Sequence, residues 1–306
     1  MRNFVSRRQF LKEAAALGGV MLAPAVFAAE TVFVPHKRDI KKAMMLSTVP
    51  GGGTLAEKFK RIKAAGFDGV EVRGGMNQDE VLRARDENGL QIPSVTCATD
   101  WTKPLSDPDP AVRAEGLAGL ETALKDAKAY GASSVLLVPG VVNERISYDE
   151  AYERSRAEIR KAVPLAEKLE VKIAIENVWN RFLLSPLEAV RYVDEFKSPA
   201  VGWHFDVGNV IAFGWPEHWI HALGPRIQKL HIKEYSREKL NKRGMRAGFE
   251  VDYLEGDNDW PSVMKALDDI GYRGWAIAEP AYHPPGVDPA ERLQQISKKM
   301  DKILSM

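Results

Sequence analysis

The feature that most restricts the fold is an eightfold alternation of short apolar runs with amphipathic segments, sustained from Lys41 to the end of the chain. Strands are expected near residues 42–47, 69–73, 92–96, 133–138, 171–176, 200–206, 227–233 and 274–279. Helices are expected near 54–65, 77–89, 109–130, 147–169, 186–196, 216–223, 260–270 and 288–304. Strand followed by helix eight times, with mostly short connections, is the pattern of an α/β protein of the closed (β/α)8 TIM barrel class. Gly66, Gly89, Gly131 and Gly271 stand where helices should stop, because glycine accepts the left-handed conformation of a helix end. A doubly wound open sheet competes with the barrel, but no Gly-x-Gly-x-x-Gly follows the first strand. Gly51-Gly52-Gly53 has the wrong spacing for that fingerprint and is expected to form a flexible loop at the barrel mouth.

Length and composition agree with one barrel-sized domain over residues 40–306: the 306 residues are 45% hydrophobic, enough for a large core. A formal charge of +1 argues against a nucleic-acid binder that works by neutralising phosphates. The single cysteine, Cys97, has no partner for an internal disulfide. Residues 1–29 read as an export signal: Arg7-Arg8 are followed by an Ala/Gly-rich apolar run from Ala14 to Phe27 and by small residues at Ala28 and Ala29. The run is short for a membrane span. A twin-arginine signal cut after Ala28 is the reading, with a folded periplasmic product and no stable membrane anchor after cleavage.

Four of the strand-like runs end on side chains able to hold a metal. Val171–Glu176 ends on Glu176, Val201–Asp206 on Asp206, Ile227–Ile232 carries His231, and Trp275–Glu279 ends on Glu279. Taken singly, a strand-end carboxylate pairs with a nearby cation and a lone histidine is a hydrogen-bonded core residue. Four such residues at the same relative position on consecutive strands would converge at the carboxyl-terminal face, where barrel chemistry is built. Three carboxylates and an imidazole form a mostly hard donor set, suited to one divalent ion: Mn²⁺ foremost, then Mg²⁺ or Co²⁺, with Zn²⁺ permitted.

From about residue 41 onward the chain resembles the xylose isomerase-like TIM barrel superfamily, in its ketose 3-epimerase, L-xylulose-phosphate 3-epimerase and hydroxypyruvate isomerase branch. The resemblance rests on Glu176-Asn177, Phe205-Asp206-x-Gly208, His231-Ile-Lys233 with Arg237 six residues after the histidine, and Ala278-Glu279-Pro280. It implies that Glu176, Asp206, His231 and Glu279 hold the metal, that Glu176 and Glu279 also move protons, and that Arg237 contacts substrate. Two positions depart from the branch. Asn209 stands where a second histidine is usual, and the glutamate often found after the strand-five motif is replaced within Asn180–Leu184.

Such a site, holding a sugar carbonyl and an adjacent hydroxyl, favours an enediolate reached by proton removal. Return of the proton to the same carbon is epimerisation, and return to the neighbouring carbon is isomerisation. Loss of a β-substituent would make an exported lyase or hydrolase acting on a 3-keto-glycoside, the second reading. A non-catalytic sugar-binding barrel is a third, and a phosphodiesterase is disfavoured by the few histidines and the neutral charge. The expected partner is a small-molecule sugar; no nucleic acid is expected, and a homo-oligomer is admitted.

Further residues carry two readings each. His204 lies two before Asp206, on the same interior face, as a group orienting a ligand or as packing. Lys233 would stand near the mouth as charge partner or substrate contact. Glu71 and Arg73 share a face of strand two, as an internal ion pair or as substrate contacts. Asn209, at the departed histidine position, is a further substrate-binding candidate. Trp101, Trp179, Phe182 and Trp215 fall in loops where they would stack on a sugar or pack in the core. Residues 234–259 are too long for a turn, reading as lid, subunit contact or charged loop.

Overall fold

The computed structural model describes residues 38–306, and the expected signal at 1–29 lies outside them. Among the described residues the strands are β1 Ile40–Met45, β2 Gly69–Arg73, β3 Ser94–Thr96, β4 Ser134–Leu137, β5 Lys172–Glu176, β6 Val201–Asp206, β7 Ile227–Ile232 and β8 Gly274–Ala278. Each pairs in parallel with its sequence neighbours, and β1 pairs with β8 from Ile40↔Gly274 to Met44↔Ala278, so the sheet closes into the expected TIM barrel.

Helices follow the strands: α1 Leu55–Ala64, α2 Gln78–Asn88, α3 Pro110–Tyr130, α4 Tyr148–Leu169, α5 Pro186–Asp194, a short α6 Gly208–Ile211, α7 Pro216–Leu223, α8 Arg237–Arg243, α9 Trp260–Asp269 and α10 Pro289–Leu304. Local chemistry sets their ends. Thr54 with Glu57 and Ser147 with Glu150 form reciprocal capping boxes at α1 and α4. Gly89 and Gly131 close α2 and α3 at φ +57° and +76°. Prolines begin α3, α5, α7 and α10, where a missing N–H costs nothing. Among the described residues no helix is long and apolar enough to cross a membrane.

Strand parity separates two environments. Ile173, Ile175, Trp203, Phe205, Leu230 and Ile232 are buried in the hydrophobic core. On the opposite parity stand Glu71, Ser94, Ser134, His204 and Lys229, all buried and polar. The Lys229 ammonium donates to Ser133 Oγ at 2.7 Å, and burial lowers its pKa to about 8. The interior of this barrel is therefore a polar stack leading up to its carboxyl-terminal mouth.

Two features differ from the sequence reading. β1 begins at Ile40 and gives way to a 3-10 turn at Leu46–Thr48, earlier than the expected 42–47. Residues 234–259 are built rather than loose: α8 and a 3-10 turn at Met245–Phe249 occupy them. The Glu234 carboxylate accepts from Leu254 N at 2.9 Å and Trp260 Nε1 at 2.9 Å. Asp252 in turn is held by Arg292 at 2.7 Å and Lys299 at 2.8 Å. The segment is thus anchored at both ends.

Candidate active site

Glu176 is the last residue of β5 and Asp206 the last of β6, His231 lies near the end of β7, and Glu279 is the first residue after β8. The β6–β7 register sets Asp206 opposite His231, with an irregularity between Trp203 and His204. The four side chains meet, one donor atom from each lying within 4.8 Å of the others. His231 Nδ1 is 2.9 Å from Glu176 Oε1, 2.9 Å from Glu279 Oε2 and 4.0 Å from Asp206 Oδ2.

Hydrogen bonds around the cluster hold it in place. Directly after Glu176, the Asn177 side chain donates to Asp206 O at 2.7 Å and accepts from Asp206 N at 3.0 Å and Trp203 Nε1 at 3.1 Å, tying β5 to β6. Asn209 donates its backbone N–H to Asp206 Oδ1 at 2.8 Å and its side-chain amide to Asn177 O at 2.9 Å. On the far side of the imidazole, His231 Nε2 lies 2.8 Å from Glu71 Oε2. His204 packs its ring edgewise on His231, centroids 4.1 Å apart, and neither of its ring nitrogens has a protein partner.

Lys233 and His231 offset part of the negative charge of the site. Lys233 Nζ lies 2.8 Å from both Asp206 Oδ2 and Glu279 Oε2, yet neither oxygen is met at a hydrogen-bonding angle. These are ion pairs by distance that leave lone pairs unspent. Burial alone would lower the Lys233 pKa, but Asp206 and then Glu279 raise it above its ordinary value. Burial also opposes a charged His231, and the surrounding carboxylates, Glu71 first, raise it well above the usual imidazole range. Burial pushes the Glu176 carboxyl up. Burial acts on Glu279 in the same sense but is overcome by Lys233 and His231, which hold it below the carboxylate range. His204 is kept neutral, chiefly by burial and then by the charge of His231.

The donor set fits a divalent cation. Three carboxylates, Glu176 and Asp206 buried and Glu279 half-buried, converge on one imidazole nitrogen, two of their oxygens lack hydrogen-bond donors, and an anionic cluster withdrawn from water requires a counter-charge. Above it opens a cavity of about 580 Å³, walled by Trp101, Trp179, Arg246 and Phe249, with Glu176, His231, Lys233 and Glu279 on its floor.

Several expected contacts fall elsewhere. Glu71 does not pair with Arg73: its carboxylate is fully buried behind His231, while Arg73 donates to Ala98 O at 2.7 Å. Arg237 does not line the cavity. Its guanidinium donates to Ile211 O at 3.1 Å and Gly214 O at 2.9 Å and covers the Trp215 ring, so it ties the β6 loop to α8. Phe182 is buried against Tyr148, Tyr152 and Tyr192, and Gly51–Gly53 lie outside the cavity wall. Sequence reasoning missed Met45, Asp100 and Phe249 as wall residues. The position of Met45 at the end of β1 and of Asp100 in the loop after β3 was the available signal, whereas nothing local marks Phe249.

The family model described as xylose isomerase-like TIM barrel matches residues 59–303. L-ribulose-5-phosphate 3-epimerase UlaE of Escherichia coli O1:K1 / APEC is 25% identical over 280 residues, covering 87% of this chain and 94% of that protein. The crystal structure of D-psicose 3-epimerase in the presence of D-fructose matches with a TM-score of 0.73 at 19% identity, over 87% of this chain and 100% of the other. The apo structure of 3-keto-D-glucoside 4-epimerase YcjR from E. coli matches with a TM-score of 0.71 at 20% identity, over 87% and 100% respectively. At these identities the two structures bear on the fold alone. The match over most of the barrel, on the fold described above, establishes that the chain belongs to the xylose isomerase-like TIM barrel family.

Proposed function

We propose that this protein is a divalent-metal-dependent sugar epimerase or isomerase acting on a ketose or related sugar. The observation that carries the reading is the convergence of Glu176, Asp206, His231 and Glu279 on one point at the floor of a cavity of about 580 Å³. The sugar epimerases among the chain's relatives support it. Those four residues would hold the cation, Mn²⁺ first and Mg²⁺, Co²⁺ or Zn²⁺ next. When bound, it supplies electrophilic stabilisation of the negative charge that grows on the sugar oxygens as a carbon-bound proton leaves.

The remaining steps belong to the chain. Glu176 and Glu279 come from β5 and from the end of β8, on either side of His231 Nδ1. One carboxylate takes the proton from the carbon beside the carbonyl and the other returns a proton. Lys233, held by Asp206 and Glu279, keeps the anionic floor from repelling an electron-rich substrate. Asn209 lines the cavity beside it and is a second polar contact for sugar hydroxyls. Trp179 and Phe249, ring centroids 4.7 Å apart, wall the cavity and limit water.

The test is solvent exchange: the Mn²⁺-loaded protein in D₂O with a panel of free ketoses and 3-keto-glycosides, followed by proton NMR, with Glu176→Gln and Glu279→Gln alongside. Deuterium should enter beside the carbonyl as an epimer or isomer appears, and both variants should be silent. Release of an aglycone would mark a lyase instead. Metal binding without exchange on any sugar would overturn the enzymatic reading in favour of a binding protein. Export through residues 1–29 belongs to the same proposal. Fused to a reporter, this segment should deliver it to the periplasm, and Arg7→Lys with Arg8→Lys should prevent delivery.

A further inference from the structure

We propose that the part of the cavity over the ends of β1, β2 and β3 is a subsite for an anionic group, a carboxylate or a phosphate, at the end of the sugar remote from the four-residue cluster. This rests on the sugar-epimerase reading above and names its substrate class.

The cluster occupies one sector of the barrel, β5 to β8. The open space does not stop there. A second lobe of about 510 Å³ continues over the ends of β1 to β3 and shares Met45, Thr96, Cys97, Asp100 and Trp101 with the first. A sugar whose carbonyl end is held at the cluster therefore has one continuous direction in which to extend its chain.

The charge of the wall changes along that direction. The cluster lobe sets Lys233 directly against the carboxylates of its floor, whereas the second lobe, which Glu71 and Asp100 also line, adds two cations from different elements, Arg73 at the end of β2 and Lys58 on α1. Among the described residues neither forms an ion pair within 4.0 Å of a carboxylate, in a chain where Arg292, Lys299 and Lys233 all do. Arg73 spends one N–H on Ala98 O at 2.7 Å, which fixes the guanidinium and leaves its other donors for a ligand. The hydroxyls of Ser47 and Thr102 line the same lobe.

Two acids line the same lobe, Glu71, whose Oε2 is taken by His231 Nε2 at 2.8 Å, and Asp100, whose two oxygens are both engaged. Asp100 Oδ1 accepts from Trp101 N at 2.9 Å and Oδ2 from Val138 N at 3.1 Å. Burial pushes this carboxyl up to about 6, against the pull of those backbone bonds and of Arg73. Asp100 thus shapes the junction between the lobes, and Arg73 and Lys58 keep capacity for an external anion. A cation on a protein surface is ordinary. Two that converge on a lobe continuous with a sugar-sized cavity select for charge in what enters it.

The experiment compares three ketohexoses of one carbon skeleton, D-fructose, D-fructose 6-phosphate and D-fructuronate, which end in an alcohol, a phosphate and a carboxylate. Calorimetric affinities for the Mn²⁺-loaded protein, and solvent exchange on the same sugars, are measured for wild type and for Arg73→Gln with Lys58→Gln. At least one anionic sugar should bind about tenfold or more tighter than fructose, the effect of one charge-assisted hydrogen bond. That ratio should collapse toward one in the double variant and shrink with added salt. A preference for phosphate alone, for carboxylate alone or for both supports the subsite and identifies the source of the charge. Equal affinities in the wild type, a ratio unchanged in the double variant, or no binding of either anion would overturn it. If the anions bind with the expected ratio but no sugar exchanges deuterium, the subsite stands and the epimerase reading fails. If neutral ketoses exchange deuterium and anions gain no preference, the epimerase reading stands and the subsite fails.

Discussion

Glu71 Oε2 lies 2.8 Å from His231 Nε2, across the barrel and 160 residues away in sequence. Accepting the Nε2 proton fixes the imidazole so that Nδ1 is the atom turned toward Glu176 and Glu279. Carboxylate partners of this kind orient a metal-binding histidine and raise its basicity, and their loss costs about 10–100-fold in metal affinity. Glu71→Ala should weaken Mn²⁺ binding by that factor. Glu71→Gln, which keeps an acceptor oxygen, should recover part of the loss. Competition with a chelator followed spectroscopically reads the affinity directly. Equal affinity in Glu71→Ala and wild type would remove Glu71 from the site.

Lys233 is the ammonium shared by Asp206 and Glu279 at 2.8 Å from each. Replacing it by methionine keeps the volume but leaves buried carboxylates uncompensated, a change that costs about 3–5 kcal/mol when one partner of a buried pair is removed. A cation at the cluster would supply the lost charge. Lys233→Met should therefore melt well below wild type in chelator and recover much of the difference in excess Mn²⁺. For wild type, the gain expected at a hundredfold excess over Kd is about 2.7 kcal/mol. Melting curves with and without Mn²⁺ check this, and a variant whose deficit is the same in both conditions would contradict it.

Glu234 offers a pH test away from the cluster. Burial is the larger influence and pushes its carboxyl from 4.5 up to about 7, against hydrogen bonds from Trp260 Nε1 and the Leu254, Tyr235 and Asn258 backbone. The folded protein then keeps a proton that the unfolded chain has already released. Its stabilising contribution is complete below pH 4.5 and disappears as pH rises through about 7, at most ~3 kcal/mol. Glu234→Gln cannot titrate, so urea melts at pH 5 and pH 8 should show wild type losing stability relative to the variant at the higher pH. A difference that does not change with pH would show that the backbone donors, not burial, govern this group.

The parts of the site legible in the sequence are those fixed by strand parity and strand ends. Glu176, Asp206, His231 and Glu279 stand at the close of apolar runs, and barrel closure brings such positions to one place without knowledge of any loop. What was not legible depends on contacts across the barrel or on the path of irregular chain. Glu71 and Arg73 look like a natural pair on one strand face, but His231, a residue on a different strand, claims the carboxylate. Arg237 keeps the spacing expected of a substrate contact, but its donors are taken by Ile211 O and Gly214 O, which only the fold of the β6 loop brings near. Phe249 and Arg246 reach the cavity because α8 and the turn after it fold back, and no periodicity within 234–259 announces that.

That fold-back rests on a close approach at Gly248, where a Cβ would sit 2.2 Å from Tyr235 Cζ and 2.4 Å from Tyr235 Cε2. The ring has little freedom to retreat. Tyr235 is buried, its hydroxyl donates to Met245 O at 2.8 Å, and it packs on Phe249 and Trp179 with centroids 4.8 and 5.6 Å away. The Ser236 N–H also donates to Gly248 O at 2.8 Å, so the two chain segments are pinned together. Gly248→Ala must move the tyrosine or separate the segments, and either movement reaches Phe249 and Trp179 on the cavity wall. The expected cost is about 1–3 kcal/mol of stability, as for other overpacked sites, together with a rise in KM for the ketose larger than any fall in kcat. Gly52→Ala is the matched control, since nothing lies within 4 Å of its added methyl. Thermal melts and steady-state kinetics on both variants separate the outcomes. A Gly248→Ala protein with wild-type KM would mean that the wall does not depend on this contact and that Phe249 reaches the cavity by some other support.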